Sequence, residues 1–239
     1  MRKATDLILD FLREKALSKN RENPIGVGGN AVVYASDTPG NVMKQGHIPD
    51  GTFGRTLEDE ANLQAIAAES GLAPRVAGLE LFPGGVGNRL EMEDVRNNFE
   101  SLPIDPMIGV ESISSFSQPG YSSDLQKLAL QQAQQMGALA LKGVRLEDRH
   151  SGNVMRNKMT GRPLQLDFGI AGRVEGSEKA ATLALATAEG FEAAGLGDVG
   201  SILTATVMDY LEGGQVDEAM DLAKQGFSRL QKIKAPLAK

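Results

Sequence analysis

Four groups of residues have types and spacings that suit chemistry. The first is the run Gly26-Val27-Gly28-Gly29-Asn30-Ala31-Val32-Val33. Glycine lacks a Cβ, so the backbone can approach a phosphate closely and take turns that a side chain forbids. The second is Lys44 in Val42-Met43-Lys44, a cation on an otherwise apolar segment. Such a lysine either snorkels to the surface or turns inward toward an anion, held there by a carboxylate. Glu60 is the candidate carboxylate and Glu58 its rival, although both also complement the dipole at a helix start. The third group is Asp148-Arg149-His150-Ser151-Gly152-Asn153. Asp148 suits the acceptance of a hydroxyl proton, and Asn153 offers a neutral oxygen to a hard cation such as magnesium. The fourth is Asp167-Phe168-Gly169, where a carboxylate can hold a divalent ion and the glycine permits a sharp change of direction. Singly, each group also reads as a tight hairpin, a surface lysine, a polar loop or a strand end.

The elements that must position these residues follow from periodicity. Residues 4–17 place Leu7, Ile8, Phe11, Leu12 and Leu17 on one helical stripe. The segment 23–34 ends in Ala-Val-Val-Tyr, which favours a strand, and a turn at 37–40 leads to an extended piece at 41–45. The glycine run therefore sits between two strands. That context disfavours a Walker loop or a Rossmann turn, each of which needs a helix N-terminus to hold the phosphate. Thr56 with Asp59 three residues on marks a helix start, and Gly71 its stop. Apolar stretches at 76–82 and 90–95 predict two more strands around the turn-rich Pro83-Gly84-Gly85. A loop-rich stretch spans 96–120. A helix then begins at Ser122 or Ser123 and stops at Gly143. Pieces at 153–156 and 164–166 flank a Thr160-Gly161 turn and predict a hairpin. From Ser177 onward the chain reads as three helical segments broken at Gly195/Gly197 and Gly213/Gly214. The expected fold class is α+β and bilobal: an antiparallel-sheet lobe with one helix over 1–95, and a mostly helical lobe over 96–239.

Composition narrows the chemistry. The chain has 239 residues, no cysteine and two histidines, His47 and His150, which excludes thiolate chemistry and histidine-rich metal sites. A net charge of −6 gives no electrostatic footprint for nucleic acid or an anionic membrane. No apolar run approaches a membrane span, and the N-terminus lacks a cationic-then-apolar signal pattern. The expectation is a protein of the cytoplasm, or one delivered into a host cytoplasm, with no membrane insertion. The 28 glycines stand against 5% aromatic residues and no tryptophan.

In order, these motifs resemble the protein-kinase-like superfamily. The resemblance spans roughly residues 23–172. It is carried by Gly-x-Gly-x-x-Ala-x-Val at 26–33, Val-Met-Lys at 42–44 and a helix acid at Glu60. It continues with Met92-Glu93-Asp94-Val95, Asp-x-x-x-x-Asn at 148–153 and Asp-Phe-Gly at 167–169. The resemblance implies ATP and Mg2+ as cofactors. Gly26, Val27, Gly28, Gly29, Asn30, Ala31 and Val33 would cover the phosphates, and Lys44 paired with Glu60 would hold them. Asn153 and Asp167 would bind the metal, and Asp148 would orient the acceptor hydroxyl and take its proton. The backbone of Glu93 and Val95 would meet the adenine edge, with Met92 guarding the back of the pocket.

Departures from the pattern are informative. Leu146-Glu147 replaces the usual His-Arg before the catalytic acid, so a switch worked by an activation-loop phosphate is not expected. No Ala-Pro-Glu follows Gly169. Asp-Arg-His-x-x-Asn is similar to the loop of phosphoinositide kinases, and His150 would there touch the γ-phosphate or share the base role. The chain looks like a compact, atypical microbial kinase: a minimal bacterial effector kinase, an antibiotic-type phosphotransferase or a phage-borne kinase. A Ser/Thr protein substrate is the leading acceptor, because the short C-terminal half leaves little material to enclose a small molecule. The alternatives are a small-molecule phosphotransferase or AMP transferase on the same fold, and a nucleotide-binding pseudokinase.

Overall fold

A computed structural model of the chain describes residues 23–27, 31–46, 55–83, 85, 87–102, 112–118 and 121–233. The helix predicted over 4–17 and the tip of the glycine run at 28–30 lie outside the described residues. The chain divides into two compact units, 1–62 with 74–94 and 63–73 with 95–239. A single boundary after residue 95 does not capture this, because Leu63–Ala73 groups with the second unit.

The first unit is built on one antiparallel sheet of five strands. These are β1 (Gly26–Val27), β2 (Ala31–Ala35), β3 (Asn41–Gly46), β4 (Val76–Glu80) and β5 (Arg89–Glu93), in the order β1-β2-β3-β5-β4. β-Branched and aromatic residues fill β2, and the turn at 36–40 closes through Asn41 N–H donating to Thr38 O at 3.1 Å. The register sets Val33 opposite Lys44 and Lys44 opposite Leu90, so the lysine occupies the middle of the sheet. Helix α1 (Leu57–Ala68) starts as its sequence demands: Thr56 Oγ1 accepts the Asp59 N–H at 3.1 Å and donates to Asp59 Oδ2 at 2.8 Å. Leu57 and Ala61 pack with Val42, Leu90 and Met92 to form the core of this unit.

The second unit is mostly helical. Helices α2 (Ser123–Leu141), α3 (Gly176–Ala193), α4 (Gly197–Glu212) and α5 (Val216–Leu230) fall where the periodicity places them. Ser122 caps α2 by accepting the Leu125 N–H at 3.4 Å. The three C-terminal helices break at the predicted glycines. α3 packs against α2, α4 and α5 and buries Ala180, Leu183, Ala184, Ala186 and Phe191 among them. Its buried Thr182 and Thr187 hydroxyls donate back to Glu178 O and Leu183 O at 2.8 and 2.7 Å, so no donor is stranded.

Small residues let these helices approach closely. A Cβ on Gly137 would lie 2.1 Å from the Phe227 ring, and one on Gly190 would lie 2.4 Å from Leu230. Part of the glycine excess is thus a packing device, in addition to the loop role read from the sequence.

Three short strands escape the sequence pattern. β6 (Phe99–Ser101) lies in the stretch read as loop and joins β8 (Val154–Asn157) and β9 (Pro163–Gln165) in an antiparallel three-stranded sheet. β7 (Val144–Arg145) and β10 (Gly172–Arg173) pair with each other. Two or three residues are too few to show an alternation, so only the partners reveal them. A 3₁₀ turn, Ile113–Ser117, also lies in that stretch, with Ile113 and Phe116 buried.

Candidate active site

In the first unit the sheet and helix α1 bring two of the predicted residues together. Lys44 Nζ lies 2.5 Å from Glu60 Oε1, with the two side chains 12% and 5% exposed. Glu58, the rival, is exposed. Two residues span about half a helical turn, so Glu58 and Glu60 lie on opposite faces of α1, and Glu60 is on the one that meets β3. Gly26 and Val27 pair with Val33 and Val32, so the strands on either side of the glycine run are in register. Val27 is exposed, Ala31 is buried, and Val33 packs against the unit's core. Gly28, Gly29 and Asn30 lie outside the described residues. Met92 is buried opposite Val42. The Glu93 N–H donates to Arg75 O at 2.9 Å, and its carboxylate accepts from Arg75 Nε at 3.1 Å.

In the second unit the predicted loop is closely tied. Gly143, at φ +77, ends α2 and sends the chain into β7, which leads through buried Leu146 to Asp148. Asn153 Nδ2 donates to Asp148 Oδ2 at 2.9 Å, and His150 Nε2 lies 3.3 Å from Asp148 Oδ1. His150 Nδ1 accepts the Gly152 N–H at 3.0 Å, so in the neutral ring the proton sits on Nε2, facing the carboxylate. The buried Ser151 begins a single 3₁₀ turn that closes as Asn153 N–H donates to His150 O at 2.9 Å. Past β9, Asp167 Oδ1 accepts the Gly169 N–H at 2.8 Å. Phe168 is buried with Leu63, Ala67, Leu72, Leu139 and Leu146, which fixes the backbone on which Asp167 stands.

Two supports of this loop were not read from the sequence. Arg149 forms a bidentate pair with Glu189 on α3, Nη1 to Oε2 at 2.5 Å and Nη2 to Oε1 at 3.0 Å. Gln165, buried at the end of β9, donates from Nε2 to Asp148 O at 3.3 Å and to Asp167 O at 3.2 Å. The partner of Arg149 is forty residues away and leaves no local signal. Gln165 does leave one: a polar residue between Leu164 and Leu166 directly before the acid.

The donor set of the loop suits a hard cation. Asp167 offers a carboxylate. Asn153 spends its N–H2 on Asp148, so its amide oxygen is the atom it has to offer an ion. Among the described residues no cluster of three or more His, Cys, Asp or Glu forms an all-protein metal cage. Magnesium is commonly held by one or two carboxylates together with substrate phosphates, so these residues fit it.

In element order and sheet topology the fold is α+β: an antiparallel sheet with one helix, then a mostly helical unit carrying two loops. No family model and no curated protein matches the chain. Among solved structures, the PknI kinase domain of Mycobacterium tuberculosis is similar to it at 18% identity and a TM-score of 0.41. That likeness covers 71% of this chain and 72% of that one. It bears on neither substrate nor activity. No helix among the described residues is long and apolar enough to cross a membrane.

Proposed function

We propose that this chain is an ATP- and magnesium-dependent phosphotransferase that moves the γ-phosphoryl group to a hydroxyl, with Ser or Thr of a protein as acceptor. The observation that carries this reading is the buried Lys44–Glu60 pair. A buried ion pair contributes little to net stability compared with apolar residues of the same volume. A cation fixed on a strand, in a chain that also carries the glycine run and the two acid loops, is explained by a phosphate ligand.

Each unit has its own share of the reaction. In the first, the glycine run covers the phosphates, Lys44 is held by Glu60 and binds them, and Met92 lines the adenine pocket. The Glu93 carbonyl serves the adenine edge, because the Glu93 N–H is engaged by Arg75 O; the Val95 N–H, at the start of the second unit's 95–239 stretch, serves it too, because the Val95 carbonyl accepts from Asn98 and Phe99 N–H. In the second, Asp148 orients the acceptor hydroxyl and takes its proton as the oxygen attacks phosphorus. His150 and Asn153 hold one carboxylate oxygen each and so set the direction of the other lone pairs. Asn153 and Asp167 would hold magnesium, which when bound supplies positive charge against the phosphoryl oxygens.

The test is thermal. Saturating MgATP at a hundred times Kd adds about 2.7 kcal/mol of stability. That raises Tm by about 5–10 °C at this chain length, and Asp167→Ala removes most of the rise. No rise in the native protein overturns the nucleotide reading. ATP labelled at the γ- or α-phosphate then separates phosphoryl transfer from AMP transfer. Binding without transfer of either label marks a nucleotide-binding module.

A further inference from the structure

Gln165 is nine-tenths or more buried, at 4% exposure, yet only half of its side chain is bonded. Its Nε2 uses both hydrogens, one toward Asp148 O at 3.3 Å and one toward Asp167 O at 3.2 Å. Its Oε1 is buried and has no hydrogen-bond partner among the described residues. A buried acceptor left unpaired is a cost that a core position filled for stability alone avoids, since Leu or Met of similar size carries no such atom. The surrounding bonds put Gln165 at a junction. Its own N–H donates to Leu72 O at 3.0 Å, Leu166 N–H donates to Asn153 O at 2.8 Å, and Val154 pairs with Gln165 across β8–β9. The hairpin therefore fixes the backbone of Gln165, and the side chain reaches from there to both acid-bearing loops.

We infer that Gln165 is a positioning residue: its amide ties the loop of Asp148 to the loop of Asp167, so that the two acids hold one relative placement. This rests on the proposed phosphotransferase reading for its use, but the tie itself is a property of the second unit. The two carbonyls flank the two groups with the most demanding geometry in that reaction, the proton acceptor and the metal carboxylate. An error of about 1 Å between such groups costs about a hundredfold in rate. One amide donating to both carbonyls limits that error more directly than separate bonds within each loop.

The experiment measures amide hydrogen exchange in the full chain without nucleotide. In the native protein, residues 146–153 and 165–171 are expected to open together, with one shared dependence on denaturant. Gln165→Met keeps the length and removes both donors. It is expected to speed exchange in both segments by the same factor, about tenfold, the loss of roughly one net hydrogen bond. Loosening of one segment alone, or of neither, overturns the inference. So does unlinked opening in the native protein, which needs no variant to fold. With an acceptor in hand, Gln165→Met should lower kcat by about tenfold to a hundredfold with the KM for MgATP little changed. A purely structural glutamine would lower Tm and leave kcat of the folded fraction unchanged. If the native protein transfers no label, the functional reading falls while the exchange result still decides the tie.

Discussion

The two units hold their chemistry-bearing side chains by opposite means. In the first, Lys44 in the middle of a sheet is held by a long-range contact to a helix, and both partners are nearly buried. In the second, Asp148 is 41% exposed and is held by neighbours within five residues, Asn153 and His150. A buried, long-range pair is bound up with folding, whereas an exposed, locally bonded carboxylate is set by its loop. The two are therefore expected to fail differently. Asp148→Asn keeps the shape and removes the base, so transfer should fall by about 10²–10⁴ while stability stays within about 0.5 kcal/mol. Lys44→Met removes one partner of this buried pair, and should destabilise the fold by about 3–5 kcal/mol. Adding Glu60→Leu should restore most of that loss without restoring transfer. Thermal melts and transfer assays on these variants break the comparison if Lys44→Met melts like the native chain or Asp148→Asn does not.

The same contrast explains what the sequence made legible. Long elements with a clear period were readable: α2 with its Ser122 cap, the three C-terminal helices with their glycine breaks, and the strands around the glycine run. The loop at 148–153 was readable because its spacing is local. The choice between Glu58 and Glu60 was not, since it depends on how α1 is rotated against β3, a tertiary fact. The tie from Gln165 to the Asp148 carbonyl and the Arg149–Glu189 pair were missed for the same reason: these partners are seventeen and forty residues distant. The strands β6, β7 and β10 have too few residues to carry a period. Glycines were assigned to loops, where several are found, but Gly137 and Gly190 serve helix contact instead.

That last point separates the units again, because helices of the second meet large side chains over glycines, and the core of the first is Val, Leu, Met and Ala. Gly137→Ala should place a methyl group 2.1 Å from a Phe227 ring carbon. Overpacking of this kind costs about 1–3 kcal/mol, which outweighs the helix propensity that alanine brings, about 1 kcal/mol. The Tm should fall, and trimming the ring with Phe227→Leu in the same chain should return part of the loss. A rise in Tm for Gly137→Ala alone would mean that α2 and α5 can separate without penalty.

The smallest expected effect belongs to the first unit's sheet. Glu91 on β5 accepts a hydrogen bond from the Ser36 hydroxyl, which with those of Thr38 and Asn41 holds its carboxyl below the usual 4.5, against the upward push of burial. A carboxylate whose folded value is depressed adds stability that is present above its unfolded value and is lost as pH falls through the folded one. Ser36→Ala removes the largest of these donors and should cost about 1 kcal/mol at pH 7. The gap between native protein and variant should stay constant from pH 7 down to about 5, then close as the medium acidifies below 4.5. Melts by circular dichroism across that range read it directly. A gap that persists unchanged under acid would assign the Ser36 contribution to the turn's shape, leaving the carboxylate's charge no part in holding the β2–β3 turn to β5.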